Sequence, residues 1–119
     1  METALSPWGK SVAINLFDCQ HDFLLNPEKI TQYVKNVIDH IQMIAHGPCH
    51  IEQFGSGDIL GYSAMQFIET SSIVVHADDK KDRCFIDIFS CKDFDTQSAA
   101  EFSRNFFGAK TMNQTTLVR

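Results

Sequence analysis

The stretch from Gly61 to Cys91 constrains this chain more than any other. It reads G-Y-S-A-M-Q-F-I-E-T-S-S-I-V-V-H, then a polar run A-D-D-K-K-D-R, then C-F-I-D-I-F-S-C. Tyr62 to Glu69, Ile73 to His76 and Arg83 to Ser90 are rich in β-branched and aromatic residues and read as strands. Only Thr70-Ser71-Ser72 separates the first two, which leaves room for a tight connection alone. Strands joined so closely run antiparallel. In the third, Phe85, Asp87 and Phe89 oppose Ile86 and Ile88, and Asp87 alone interrupts two apolar faces. Such a strand belongs in the middle of a sheet.

The rest of the chain supplies strands and helices around that core. Lys10 to Phe17 alternates, with Val12, Ile14 and Leu16 on one face. Asn26-Pro27 is a helix start, an N-cap followed by a proline whose missing N–H costs nothing there. Ile30, Tyr33, Val34, Val37, Ile38, Ile41 and Ile44 then form one apolar stripe, which Gly47-Pro48 ends. Cys49 to Phe54 is a further short strand, and Gly55-Ser56-Gly57-Asp58 a loop. Ala77 to Asp82 reads as a charged turn facing solvent. Asp95 or Thr96 caps a second helix that buries Ala99, Phe102, Phe106 and Phe107 and closes at Gly108. Lys110 to Val118 forms the last strand.

The expected order is therefore β-α-β-β-β-β-α-β. It predicts an α+β, two-layer sandwich, a mostly antiparallel sheet with two helices on one face. The opposite face stays bare and partly apolar, so a homodimer through the sheets is expected.

Composition excludes several classes of function. At 119 residues the chain is one domain, 1–119, with room for a modest core. A net charge of −5 disfavours a nucleic-acid partner. No apolar run reaches membrane-span length, and the N-terminus lacks the pattern of a signal peptide, so no membrane partner and a cytoplasmic location are expected. Cys19, Cys49, Cys84 and Cys91 show neither zinc-ligand nor disulfide spacing. A metal or redox protein using Cys49, His50, His76, Cys84 and Cys91 therefore has little support, and no metal is expected.

Ser63, Ser71, His76 and Cys91 are ordinary residues one at a time. Their spacing of eight, five and fifteen resembles, without a gap, that of the processing and catalytic residues of the bacterial S-adenosylmethionine decarboxylases. V-V-H resembles that family's T-I-H, F-I-D-I-F-S-C its A-V-D-L-F-T-C, and L-F-D-C ending at Cys19 its segment after the first strand. The resemblance spans essentially the whole chain, though only Ser63 to Cys91 is specific. It implies self-cleavage between Thr70 and Ser71 into 1–70 and 71–119. Ser71 would become a pyruvoyl group, the cofactor that condenses with a substrate amine and draws off electrons as CO₂ leaves. Ser63 would stabilise the oxyanion, His76 act as base, and Cys91 return a proton to the substrate.

The chain also departs from that family. Thr70 stands where the family has Glu, with Glu69 one place earlier, and Ser72 stands where it has His. After His76 the family reads T-W-P-E, whose Trp stacks on adenine and whose Glu binds ribose; here Ala-Asp-Asp-Lys follows. Phe54 lies near the family's other stacking position but not at it. Asp78 and Asp79 instead suit a cationic end group, unless the run is a solvated turn. With Phe54 and Glu69 they are the substrate-binding candidates. Ornithine or arginine is favoured slightly over S-adenosylmethionine. The rival class is a relative that keeps the fold and dimerises without cleaving, which Thr70 favours.

Overall fold

The computed structural model describes residues 7–119. β1 (Lys10–Phe17) leads into a single turn, α1 (His21–Leu24), and a long helix, α2 (Pro27–His40). Four strands follow, β2 (Ala45–Phe54), β3 (Gly61–Ile68), β4 (Ser71–Asp78) and β5 (Arg83–Ser90). Helix α3 (Thr96–Phe107) and strand β6 (Thr111–Val118) close the chain. The six strands form one sheet in the order β2-β3-β4-β5-β1-β6. Every neighbouring pair is antiparallel, so the sheet is wholly rather than mostly so. The α+β two-layer sandwich is as expected. Among the described residues no helix is long and apolar enough to cross a membrane.

The core follows from the period-2 pattern of the strands. Val12, Ile14 and Leu16 meet Ile86 and Ile88 across the sheet and face the helices, as do Ile73 and Val75. The expected caps hold: Asn26 accepts from the N–H groups of Glu28 and Lys29, and Asp95 from Ser98. Gly108 ends α3 at φ 61°. Tyr33 is fully buried among Phe102, Phe106 and Phe107, and its hydroxyl meets Ser103 Oγ at 2.5 Å.

Three expectations need correction. Helix α2 ends at His40, well before Gly47-Pro48. Gln42 takes φ 61°, Met43 N–H bonds Ile38 O, and Ile44 is 82% exposed, so the apolar stripe stops at Ile41. Gly47 and Pro48 then lie inside β2, at a register shift between His46 and His50. An edge strand tolerates proline there because its missing donor faces no partner. Buried Gln66 donates to the carbonyls of His46 and Gly47 and pins the irregular segment. After β1, His21–Leu24 makes a helical turn that buries Leu24, a helix beyond the two expected. The run from Ala77 to Asp82 is not solvated throughout, because Ala77, Asp78 and Asp79 are each 8% exposed.

Candidate active site

The cleavage-site residues sit at a two-residue hairpin. Ile68 pairs with Ser71, leaving Glu69 and Thr70 as the turn. Thr70 lies at φ 55°, a left-handed conformation that a β-branched residue adopts only under strain. Ser71 opens β4 directly opposite Ser90, the last residue of β5. Its hydroxyl faces the helix layer and donates to Ser90 Oγ at 2.6 Å. Ser90 is fully buried and also accepts the Lys92 N–H at 3.0 Å. The Thr70 carbonyl, the one Ser71 would attack, accepts the Cys91 N–H at 3.4 Å. The Cys91 thiol lies against the Thr70 hydroxyl. Glu69 is exposed and borders a hollow of about 330 Å³ that Lys92 and Gln42 also line. A strained peptide with a nucleophile after it and a backbone donor on its carbonyl suits an N-to-O acyl shift.

Ser63 and His76 form a second cluster. They oppose each other across β3 and β4, and Ser63 Oγ lies 2.8 Å from His76 Nδ1. Both belong to the sheet face that no helix among the described residues covers. They line a cleft of about 610 Å³ with His50, Glu52, Phe54 and Met65. The resemblance implies that His76 and Cys91 both act at Ser71; within one chain the structure brings only Cys91 to that turn. His76 pairs with Phe85, five residues along β4 from Ser71. Five residues of strand is about 16 Å, and an odd offset puts the side chain on the opposite face.

The acidic substrate-binding candidates lie beyond His76. Asp78 shares the face of the dyad, but Arg83 Nε donates to its carboxylate at 2.9 Å and Nη2 also reaches it. Burial raises the Asp78 carboxyl, yet the Arg83 bonds and the N–H groups of Lys81 and Lys80 outweigh that and hold it below its usual range. Burial pushes the Asp79 carboxyl up. Asp78 and Asp79 are therefore not the free pair a cationic ligand would require. Phe54, the other candidate, is 54% exposed in the cleft.

Sequence reasoning missed Ser90, the Cys91 N–H, and Glu52, whose backbone opposes Ser63. Their signal lies in hairpin register: a turn at Glu69-Thr70 sets Ser63 across from His76, and one about Lys80-Lys81 sets Ser71 across from Ser90. Of the remaining cysteines, Cys19 and Cys84 are buried and Cys49 is half-buried. Burial pushes the Cys19 thiol up to about 12 and raises those of Cys84 and Cys49. Among the described residues no three His, Cys, Asp or Glu side chains converge as metal ligands.

Comparison with known proteins bears on the family and the fold. No curated protein matches the chain. The crystal structure of the adenosylmethionine decarboxylase from Aquifex aeolicus VF5 superposes with a TM-score of 0.83 at 15% identity. The match covers 97% of this chain and 92% of that one, and at such identity it establishes the fold. The family model for S-adenosylmethionine decarboxylase matches residues 10–119. The chain thus belongs to the S-adenosylmethionine decarboxylase family, pyruvoyl-dependent decarboxylases of polyamine biosynthesis.

Proposed function

We propose that this chain cleaves itself between Thr70 and Ser71 and acts as a pyruvoyl-dependent decarboxylase whose sites are completed across a homodimer. The observation that carries the reading is the hairpin itself: strained Thr70, its carbonyl held by the Cys91 N–H, and the Ser71 hydroxyl beside it. The residues fit the group they would generate. Ser71 Oγ bonds to the Thr70 carbonyl carbon, the bond from that carbon to Ser71 N breaks, and the hydroxyl proton passes to the nitrogen. Loss of the Ser71 α-proton then expels Thr70 as a carboxylate, and water releases ammonia. The pyruvoyl carbonyl left at residue 71 supplies an electron sink for loss of CO₂ from a substrate amine. The Cys91 thiol, at the same turn, returns a proton to the substrate α-carbon.

Ser63 and His76 cannot serve the Ser71 of their own chain. A second copy packed sheet to sheet would set its dyad against the uncovered side of this turn, His76 to take the Ser71 α-proton and Ser63 to stabilise the oxyanion on the Thr70 carbon, while the Ser71 hydroxyl attacks from the helix side. The uncovered face supports that packing. Phe54, Met65, Phe67 and Leu117 stand 43–57% exposed on it, an apolar surface of the kind that homodimers bury.

The favoured substrate is ornithine or arginine. With Asp78 bound to Arg83, Glu52 becomes the anchor for a distal ammonium or guanidinium, as the one carboxylate among the described residues that lines the cleft. S-adenosylmethionine is the second reading, favoured by the exposed ring of Phe54, which could stack on a nucleobase.

The intact mass of freshly made protein tests the class. Two fragments divided at Thr70–Ser71, absent from Ser71→Ala, are expected. A single stable chain would indicate instead a non-cleaving relative that dimerises with or modulates an active partner. CO₂ release from the three amino acids then ranks the substrates. Glu52→Gln should raise KM for ornithine or arginine about tenfold or more, the effect of losing one charge-assisted contact.

A further inference from the structure

We propose that Ser90 is a positioning residue for self-cleavage, its buried hydroxyl holding and then stabilising the Ser71 oxygen during the acyl shift. This rests on the reading that Thr70–Ser71 is cleaved.

The geometry is specific. Ser71 and Ser90 are paired across β4 and β5, and both side chains point to the helix-covered face. Ser90 is 0% exposed and Ser71 9%, so bulk water barely competes for either hydroxyl. The Ser71 hydroxyl donates to Ser90 Oγ at 2.6 Å, and the Lys92 N–H donates to the same atom at 3.0 Å. A serine hydroxyl offers two lone pairs and one O–H. With both lone pairs engaged, Ser90 acts as a fixed acceptor that selects one rotamer of Ser71, and it is not a base. Its own O–H remains available. As Ser71 Oγ gives up its proton to Ser71 N and bonds to the Thr70 carbon, the Ser90 hydroxyl can reverse its role and donate to that oxygen.

Three consecutive residues therefore grip the scissile peptide. Ser90 holds the nucleophile, the Cys91 N–H holds the carbonyl, and the Lys92 N–H holds Ser90. The strand end itself is fixed from outside. A Cβ on Gly9 would lie 2.1 Å from Ser90 O and 2.7 Å from Cys91 Cα, so the segment entering β1 is packed hard against it.

The test is the time course of fragment release by intact mass, after cell-free synthesis, for wild type, Ser90→Ala, Ser90→Cys and Ser90→Thr. Ser90→Ala is expected to cleave at least about tenfold more slowly, the effect of one lost hydrogen bond in a transition state. Ser90→Cys keeps the volume but accepts weakly, so it should be slow as well, which covers the case in which Ser90→Ala fails to fold. Ser90→Thr, which restores the hydroxyl, should recover the rate. Hydroxylamine, which cleaves esters, separates positioning from general damage. It should release fragments from His76→Ala, stalled after the shift, but not from Ser90→Ala, stalled before it. Cleavage of Ser90→Ala at the wild-type rate or faster would overturn the role of Ser90 while leaving the proposed function standing. Wild type that remains one chain would overturn both.

Discussion

Arg83 lets Asp78 remain charged while buried at the far end of β4. Arg83→Met should cost about 1–3 kcal/mol near neutral pH, less than a fully buried pair because Arg83 reaches solvent. The sign with pH follows from the lowered carboxyl. Its stabilisation is present above the unfolded value and is lost as pH falls through the lower folded value. Urea midpoints of wild type and variant should therefore converge in strong acid. Asp79 has the opposite sign. Its raised carboxyl makes the fold lose stability as pH rises through the folded value, so Asp79→Asn should stabilise the protein near neutrality. A loss there would mean that Asp79 Oδ1, which has no donor among the described residues, meets one in solution. Among the cysteines, iodoacetamide should label half-buried Cys91 and Cys49 in the folded protein well before Cys19 and Cys84. Peptide mapping by mass would show the reverse order if burial were not protecting the latter pair.

At the scale of elements, the β3–β4 hairpin stores strain at one end and is packed tightly at the other. In a Ser71→Ala background, Thr70→Gly should stabilise the uncleaved chain by up to about 1 kcal/mol, because glycine accepts a positive φ freely. A Cβ on Gly61 would lie 1.8 Å from Ala77 O. Gly61→Ala should thus separate β3 from β4 near the dyad and lower thermal stability by about 1–3 kcal/mol. Much of this hairpin was legible in the sequence. Alternation marked the strands, and three residues between apolar runs forced a tight turn. Both helix starts were readable because Asn26-Pro27 and Asp95 are local capping signals. The end of α2 was not, since Ile44 continues the apolar period while turning to solvent. The burial of Asp78 and Asp79 was equally hidden, because it depends on Arg83 across the strand pair and on Leu60, whose carbonyl takes the Asp79 N–H. The spacing of Ser63, Ser71, His76 and Cys91 pointed to the family, which the family match bears out, but a list of intervals does not say which side of a sheet each residue faces.

Across the whole molecule, the proposed two-sided site would leave a lone protomer incomplete. Leu117→Glu, on the uncovered face three strands from the cleavage turn, should shift the protein to monomer in sedimentation and abolish decarboxylation while leaving the far-UV spectrum unchanged. Co-expression of His76→Ala with Cys91→Ala offers a sharper check. Each alone should be inactive, whereas random pairing should restore about a quarter of wild-type activity, since half the dimers carry one intact site of two. A mixture as inactive as its components would show that each site is built within one chain. The strand order bears on the fate of a cleaved chain. Residues 1–70 hold β1, β2 and β3, and residues 71–119 hold β4, β5 and β6, yet β1 lies between β5 and β6. The two pieces are interlaced along three seams, so scission leaves them threaded together as one body. Refolding is another matter: a denatured mature protein would have to reunite two strangers, a second-order event that slows with dilution, whereas its uncut precursor folds at any concentration. Maturation would then work as a ratchet, in which a sheet assembled once as a single thread cannot readily be assembled again.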